Sequence, residues 1–133
     1  PTIKREADLV HGAGKLYGYI ITSAFEPLLD IILESGIDVL IGLDPVEGKG
    51  TDIHTVKKKF LKHGKALWGG VSGPLTVERG TVSDTEEAVQ RALEELGRDG
   101  GFVLSPVDNL RENTDKAWEN TYTFINAWKR YRK

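Results

Sequence analysis

At 133 residues the chain has room for one domain built around one hydrophobic core. Apolar residues make up 39% and charged residues 29%, the balance of an ordinary globular protein, and a net charge of −2 excludes neither fold nor catalysis but gives no reason to expect nucleic acid or an anionic membrane as partner. The absence of cysteine excludes disulfides and thiolate metal sites and fits a reducing, cytoplasmic setting, and no apolar run reaches the ~18 residues of a membrane span.

Residues 3–13 predict a helix, with Ile3, Ala7 and Val10 on one face and Gly12 and Gly14 as the stop. Leu16 to Ile21 is aromatic and β-branched, a short strand. Ser23 and Glu26 have the spacing of a capping box, with Pro27 in the first turn, and open an apolar helix through Leu28, Leu29, Ile31, Ile32 and Leu33 that ends at Gly36. The second strand, Asp38 to Leu43, is almost continuously apolar, which marks a strand buried on both faces of a parallel sheet. A loop from Asp44 to Gly50 follows, and Thr51 caps a helix with Ile53, Val56, Phe60 and Leu61 on one side. Lys57, Lys58, Lys59, Lys62 and His63 crowd its end as a solvated face that complements the helix dipole, and Gly64 stops it.

Ala66 to Trp68 is the third strand, followed by a long loop from Gly69 to Asp84. Ser83 and Glu86 give a second capping-box spacing before a helix whose core face is Ala88, Val89, Ala92, Leu93 and Leu96. Gly97, Gly100 and Gly101 turn the chain into a fourth strand, Phe102 to Leu104. A loop runs to Asn113, and Thr114 caps a last helix with Trp118, Thr121, Tyr122, Ile125 and Trp128 as its buried face.

A helix followed by four strand–helix units is an α/β chain with a parallel sheet and right-handed crossovers. A complete (βα)8 TIM barrel takes roughly 250 residues, so the expected fold is half of one: four parallel βα units preceded by a helix, in a single domain over residues 1–133. A small open sheet is the other arrangement four such units allow, at the cost of two exposed edges.

In parallel α/β folds, ligands bind where the strands end. That rule selects Thr22-Ser23, Asp44-Pro45, the stretch from Gly69 through Gly70, Ser72 and Pro74, and the stretch from Ser105 to Asn109. Asp44 and Asp108 are the catalytic candidates. Asp44 follows a buried strand, where a carboxyl group is easily desolvated, although Asp before Pro also starts ordinary turns. Thr22, Ser23, Gly70, Ser72, Ser105 and Asn109 are candidate substrate contacts, and Arg111 is a candidate partner for a ligand carboxylate. The glycine-rich stretch matches neither the P-loop nor the dinucleotide fingerprint. His11, His54 and His63 stand at helix ends without a second ligand at metal spacing, so no metal and no nucleophile is expected.

The sequence resembles the C-terminal half of the uroporphyrinogen decarboxylase superfamily, which also contains cobalamin-dependent methyltransferases. The resemblance is carried by Pro27 to Asp30, Glu34 to Leu40, Asp44-Pro45, Trp68 to Val71, Leu75 to Thr81 leading into Glu86 to Val89, and Gly100 to Pro106. It implies a (βα)8 barrel and an anionic small-molecule substrate, with no cofactor in the decarboxylase branch. An acid there would protonate the carbon that loses CO₂, while positive groups, here Arg111 and Arg79, hold carboxylates. The zinc-binding residues of the methyltransferase branch are replaced by Ile20-Ile21-Thr22 and Asp108, and the decarboxylase histidine by Val107-Asp108-Asn109.

Three expectations follow: the C-terminal part of a decarboxylase-like enzyme, a methyltransferase-like enzyme without the zinc ligands, or a non-catalytic half-barrel that self-associates. The expected partners are a small anionic substrate, and either further copies of the chain or an N-terminal half of the same protein.

Overall fold

The computed structural model describes residues 2–22, 25–47 and 52–132. Helix α1 (Thr2–Gly12) leads into strand β1 (Gly18–Ile20); a 3₁₀ turn, Glu26–Leu28, opens the short helix α2 (Leu29–Glu34), and β2 (Val39–Leu43) and α3 (Ile53–Lys62) follow. Strand β3 (Ala66–Ser72), a π-helical turn (Gly73–Glu78) and α4 (Val82–Ala92, wound on as a π-helical turn to Gly97) precede β4 (Phe102–Val107) and α5 (Asp115–Tyr131). The four strands lie in one parallel sheet in the order β1-β2-β3-β4. This is the architecture of half a (βα)8 barrel, as the strand–helix alternation requires.

Strand alternation divides the sheet into two unlike faces. Leu40, Leu67 and Phe102 point to the helices and join a core with Phe25, Leu29, Ile32, Ile37, Val56 and Phe60. A second cluster, Val71, Val77, Val89, Ala92 and Ala127, packs β3 against α4 and α5. On the other face Ile20 is 65% and Trp68 41% exposed, flanked by the half-buried Ile41 and the exposed Val103. No helix of the described residues covers it.

Several local expectations are corrected. Strands β3 and β4 each run further than predicted, to Ser72 and Val107, because Gly69 and Gly70 are strand residues paired with Leu104 and Ser105. Both glycines have positive φ (142° and 99°), and a Cβ on Gly69 would stand 2.6 Å from the Leu43 carbonyl oxygen. Only glycine brings β2 and β3 this close. The capping box of α4 is Thr81 with Asp84, not Ser83 with Glu86: the Thr81 hydroxyl accepts from the Asp84 N–H at 3.1 Å and Asp84 Oδ2 accepts from the Thr81 N–H at 2.8 Å. Ser83 sits inside the helix and donates to Glu87. Asp52 caps α3, accepting from the N–H groups of His54 and Thr55; Thr51, expected there, and the Ser23 of the first predicted box lie outside the described residues.

The basic end of α3 is not wholly solvated. Lys57 is buried, and its ammonium donates to the Gly100 carbonyl; burial pushes its pKa down, with Asp99 opposing the shift. Helix α5 buries Ala117, Asn120 and Ala127 rather than Trp118, Tyr122 and Ile125, of which Trp118 is 53% and Tyr122 61% exposed. Ala127 packs with Val89 and Ala92 of α4, and Trp128 of the expected face is partly buried against the same cluster.

The start of the sheet is fastened by Asp38, whose carboxylate accepts from the Tyr17 N–H at 2.6 Å and from His11 Nε2 at 2.7 Å. Partial burial pushes the Asp38 pKa up, but the Tyr17 and His11 hydrogen bonds outweigh it and hold the carboxyl below its ordinary value. A carboxyl depressed in the folded state stabilises the fold above its unfolded pKa, and that stabilisation is lost as pH falls through the folded one. Asp38→Asn is therefore expected to lower the urea midpoint near neutrality and to flatten its decline below about pH 4. Urea midpoints measured across that range check this; parallel pH profiles for the two proteins would remove Asp38 from the account.

Candidate functional site

A depression of about 320 Å³ opens on the bare face of the sheet where the strands end, lined by Ile20 of β1 and Thr22 after it, Ile41 and Gly42 of β2, Trp68 of β3, and the run Ser105 to Asn109. The sheet builds it. Parallel strands in register bring their C-terminal ends together, and the alternation that turns Leu67 inward turns Trp68 outward to this face. Gly42 has φ 108°, and a Cβ there would stand 2.8 Å from the Ile21 carbonyl oxygen. The floor of the depression is thus close-packed backbone, and its rim is side chains.

Four of the residues expected from the sequence meet at this depression: Thr22, Ser105, Asp108 and Asn109. Asp108 holds a left-handed conformation, φ 67°, the one positive-φ residue other than glycine among those described. Its Oδ1 accepts from the Asn109 N–H at 3.1 Å. Strain of this kind persists only where the surroundings enforce it, and it clusters at functional sites.

The other expected residues lie elsewhere. Asp44 is 1% exposed and does not line the depression. Its Oδ1 accepts from the N–H groups of Val46 and Glu47, at 2.8 and 3.0 Å, closing a turn, while its Oδ2 has no hydrogen-bond partner among the described residues. A buried carboxylate oxygen left unpaired is costly and calls for a reason. Ser72 is buried, and its hydroxyl accepts from the Leu75 N–H as the cap of the π-helical turn. Gly70 faces the helix layer, against Phe102 and Ala92. The backbone N–H of Arg111 donates to Oε2 of the buried Glu78, at 2.9 Å, and its side chain lines a separate groove beside α5 with Leu110, Asn113, Ala117, Trp118 and Thr121. Arg79 is exposed, and its carbonyl accepts from Lys116. Ser23 lies outside the described residues.

Sequence reasoning missed Trp68, Ile20, Ile41 and Gly42 as lining residues. The parity of β3 could have found Trp68, since it alternates with the core residue Leu67. Among the described residues no group of three or more His, Cys, Asp or Glu stands within reach of a metal ion, and no helix is long and apolar enough to cross a membrane.

No family model matches the sequence, and no curated protein does. Among solved structures, a methyltransferase from Methanosarcina mazei has the same fold, with a TM-score of 0.74 at 22% identity over 98% of this chain. This chain spans 35% of that protein's length.

Proposed function

We propose that this chain supplies one wall of a barrel active site and that the reaction is transfer of a methyl group rather than loss of CO₂. The observation that carries this is the lining of the depression: apolar and aromatic residues, neutral polar groups and one carboxylate, with no basic side chain among the described residues. An enzyme that removes CO₂ from a polycarboxylate needs cations to hold the carboxylates, and Arg79 and Arg111 stand outside the depression. The methyltransferase neighbour supports the same choice.

In methyl transfer, the carbon leaves its heteroatom without the bonding electrons and is taken by a nucleophile, so the donor departs as a neutral base when it begins as an onium ion. An apolar wall favours that step, because charge is dispersed in the transition state and water would hold it back. The acceptor is a second substrate, a thiolate being the simplest class, since the chain has no cysteine. Among the described residues this wall holds no ligand set for a metal ion, and the wall's part is to bind and orient the donor. Asp108, the one carboxylate among the described residues of the lining, is the candidate to take the thiol proton; Asp44 stands outside the depression.

The test uses the polypeptide that carries this chain, supplied with isotopically labelled methyl-ammonium and methyl-ether donors and a thiol, and separately with a carboxylated tetrapyrrole. Label in the thiol product without CO₂ release is expected; CO₂ release without label transfer would overturn the reading. Asp108→Asn is expected to reduce turnover about 10²-fold if Asp108 takes the thiol proton; unchanged kinetics would remove it from the mechanism.

A further inference from the structure

The geometry points to a cation site: the depression at the strand ends binds a small alkylated cation, such as a methylated ammonium group, against the face of Trp68, with Asp108 as its counter-charge. The inference rests on that depression being the substrate wall and not on which reaction occurs there.

Three independent observations carry it. The first is the lining. Trp68, 41% exposed, stands next to Ile41, which separates it from Ile20, and Asp108 is the only ionisable residue among the described residues of the lining. An indole face beside aliphatic side chains and a carboxylate suits an alkylated cation, whose methyl groups need apolar contact and whose diffuse charge is attracted to the ring.

The second is the distribution of charge. The four segments that follow the strands (21–28, 44–52, 73–84 and 108–115) hold nine acidic residues against Lys49, Arg79 and Arg111. Lys57 and Lys65, by contrast, are spent near the opposite strand ends, donating to the carbonyls of Gly100 and Ile37. The resulting field draws cations toward the C-terminal ends of the strands and turns anions away.

The third concerns the helix N-termini, which in barrel folds are the usual seats of anions. Here the protein's own groups fill them. Asp52 takes the N–H groups of His54 and Thr55, Asp84 takes that of Thr81, and the Thr114 hydroxyl takes that of Ala117. Among the described residues of the lining an anionic substrate would meet no cation, and these three helix ends are already capped.

The probe is tetramethylammonium chloride, titrated into the chain at constant ionic strength and followed by the indole N–H resonances, with Trp68 assigned from a Trp68→Phe variant. Propane-1,2,3-tricarboxylate is titrated in parallel. Saturable binding of tetramethylammonium that shifts the Trp68 resonance is expected, weakened ~10-fold or more by Trp68→Leu. Asp108→Asn is also expected to weaken it, and because asparagine tolerates positive φ that variant keeps the fold if Trp68→Leu does not. No saturable binding of the cation, equal binding in both variants, or tricarboxylate binding at Trp68 would each overturn the inference. Cation binding without methyl transfer leaves the site standing and removes the proposed reaction; methyl transfer from a neutral donor without cation binding does the reverse.

Discussion

Gly69→Ala is expected to cost about 3–5 kcal/mol, from backbone strain at positive φ together with overlap between packed strands. The added Cβ would meet the Leu43 carbonyl oxygen at 2.6 Å, the Leu43 nitrogen at 2.9 Å and Val107 Cγ2 at 2.8 Å, so no rotamer relieves it. Against a typical domain stability of ~5–15 kcal/mol, that loss leaves a chain that is marginal or collects as insoluble protein. Gly100→Ala is the control. Gly100 has φ 72° but nothing within 4 Å of its Cβ position, so it carries strain alone and about 1 kcal/mol is expected. Urea midpoints for the two variants separate clash from strain; equal midpoints would mean that β2 and β3 do not approach as described.

Asn120→Asp is the second large effect. Asn120 is fully buried on α5, and its Nδ2 donates to the carbonyls of Val77 and Gly80, both at 2.9 Å. Those bonds tie α5 to the turn after β3 and to the residue before the Thr81 cap. Aspartate has the same shape but no N–H groups, and an ionised carboxylate would face two carbonyl oxygens. The expected cost is about 3–5 kcal/mol, that of an unpaired buried charge. Asn120→Ala, which removes the donor without adding charge, is expected to cost about 1–3 kcal/mol. The difference between the two should shrink as pH falls and the introduced carboxyl becomes neutral. A gap that stays constant from neutral to mildly acidic pH would show that charge is not the cause.

The fold was legible because its signals are local and repeated: four apolar strands, each followed by polar or glycine-rich residues and then a helix. What escaped was what depends on neighbours. Two capping boxes of equal spacing overlap at Thr81–Asp84 and Ser83–Glu86, and the spacing alone cannot rank them; Asn120, 40 residues away in sequence at the Gly80 carbonyl, helps hold the true start. Helix α5 is apolar on two adjacent faces, so the heavier stripe of Trp118, Tyr122 and Ile125 looks like the core until Ala127 is seen packed with Val89 and Ala92 of α4.

The candidate site divides the same way. The rule of strand ends selected Thr22, Ser105, Asp108 and Asn109, and all four line the depression on the bare face, Ser105 from within β4 and the others from beyond a strand end. It misjudged Gly70 and Ser72 because β3 continues through Gly69 and Gly70 with positive φ, which upsets the simple alternation of facing residues. Asp44 was correctly read as desolvated, but its bonds to Val46 and Glu47 turn it into its own loop. For Arg111, sequence cannot distinguish a side chain aimed at a ligand from a backbone N–H committed to Glu78.

The close-packed glycine floor also bears on how such a site can change over evolutionary time or in the laboratory. At Gly42 any side chain collides with neighbouring backbone, so this position is closed to variation and the shape of the floor is inherited intact. Diversity has to enter at the rim, through Ile20, Trp68, Ser105 and Asn109, whose side chains are seated around the depression. A library restricted to those four positions would sample new ligands while leaving the strand spacing untouched, whereas random mutagenesis would spend part of its variants on glycines that cannot be replaced.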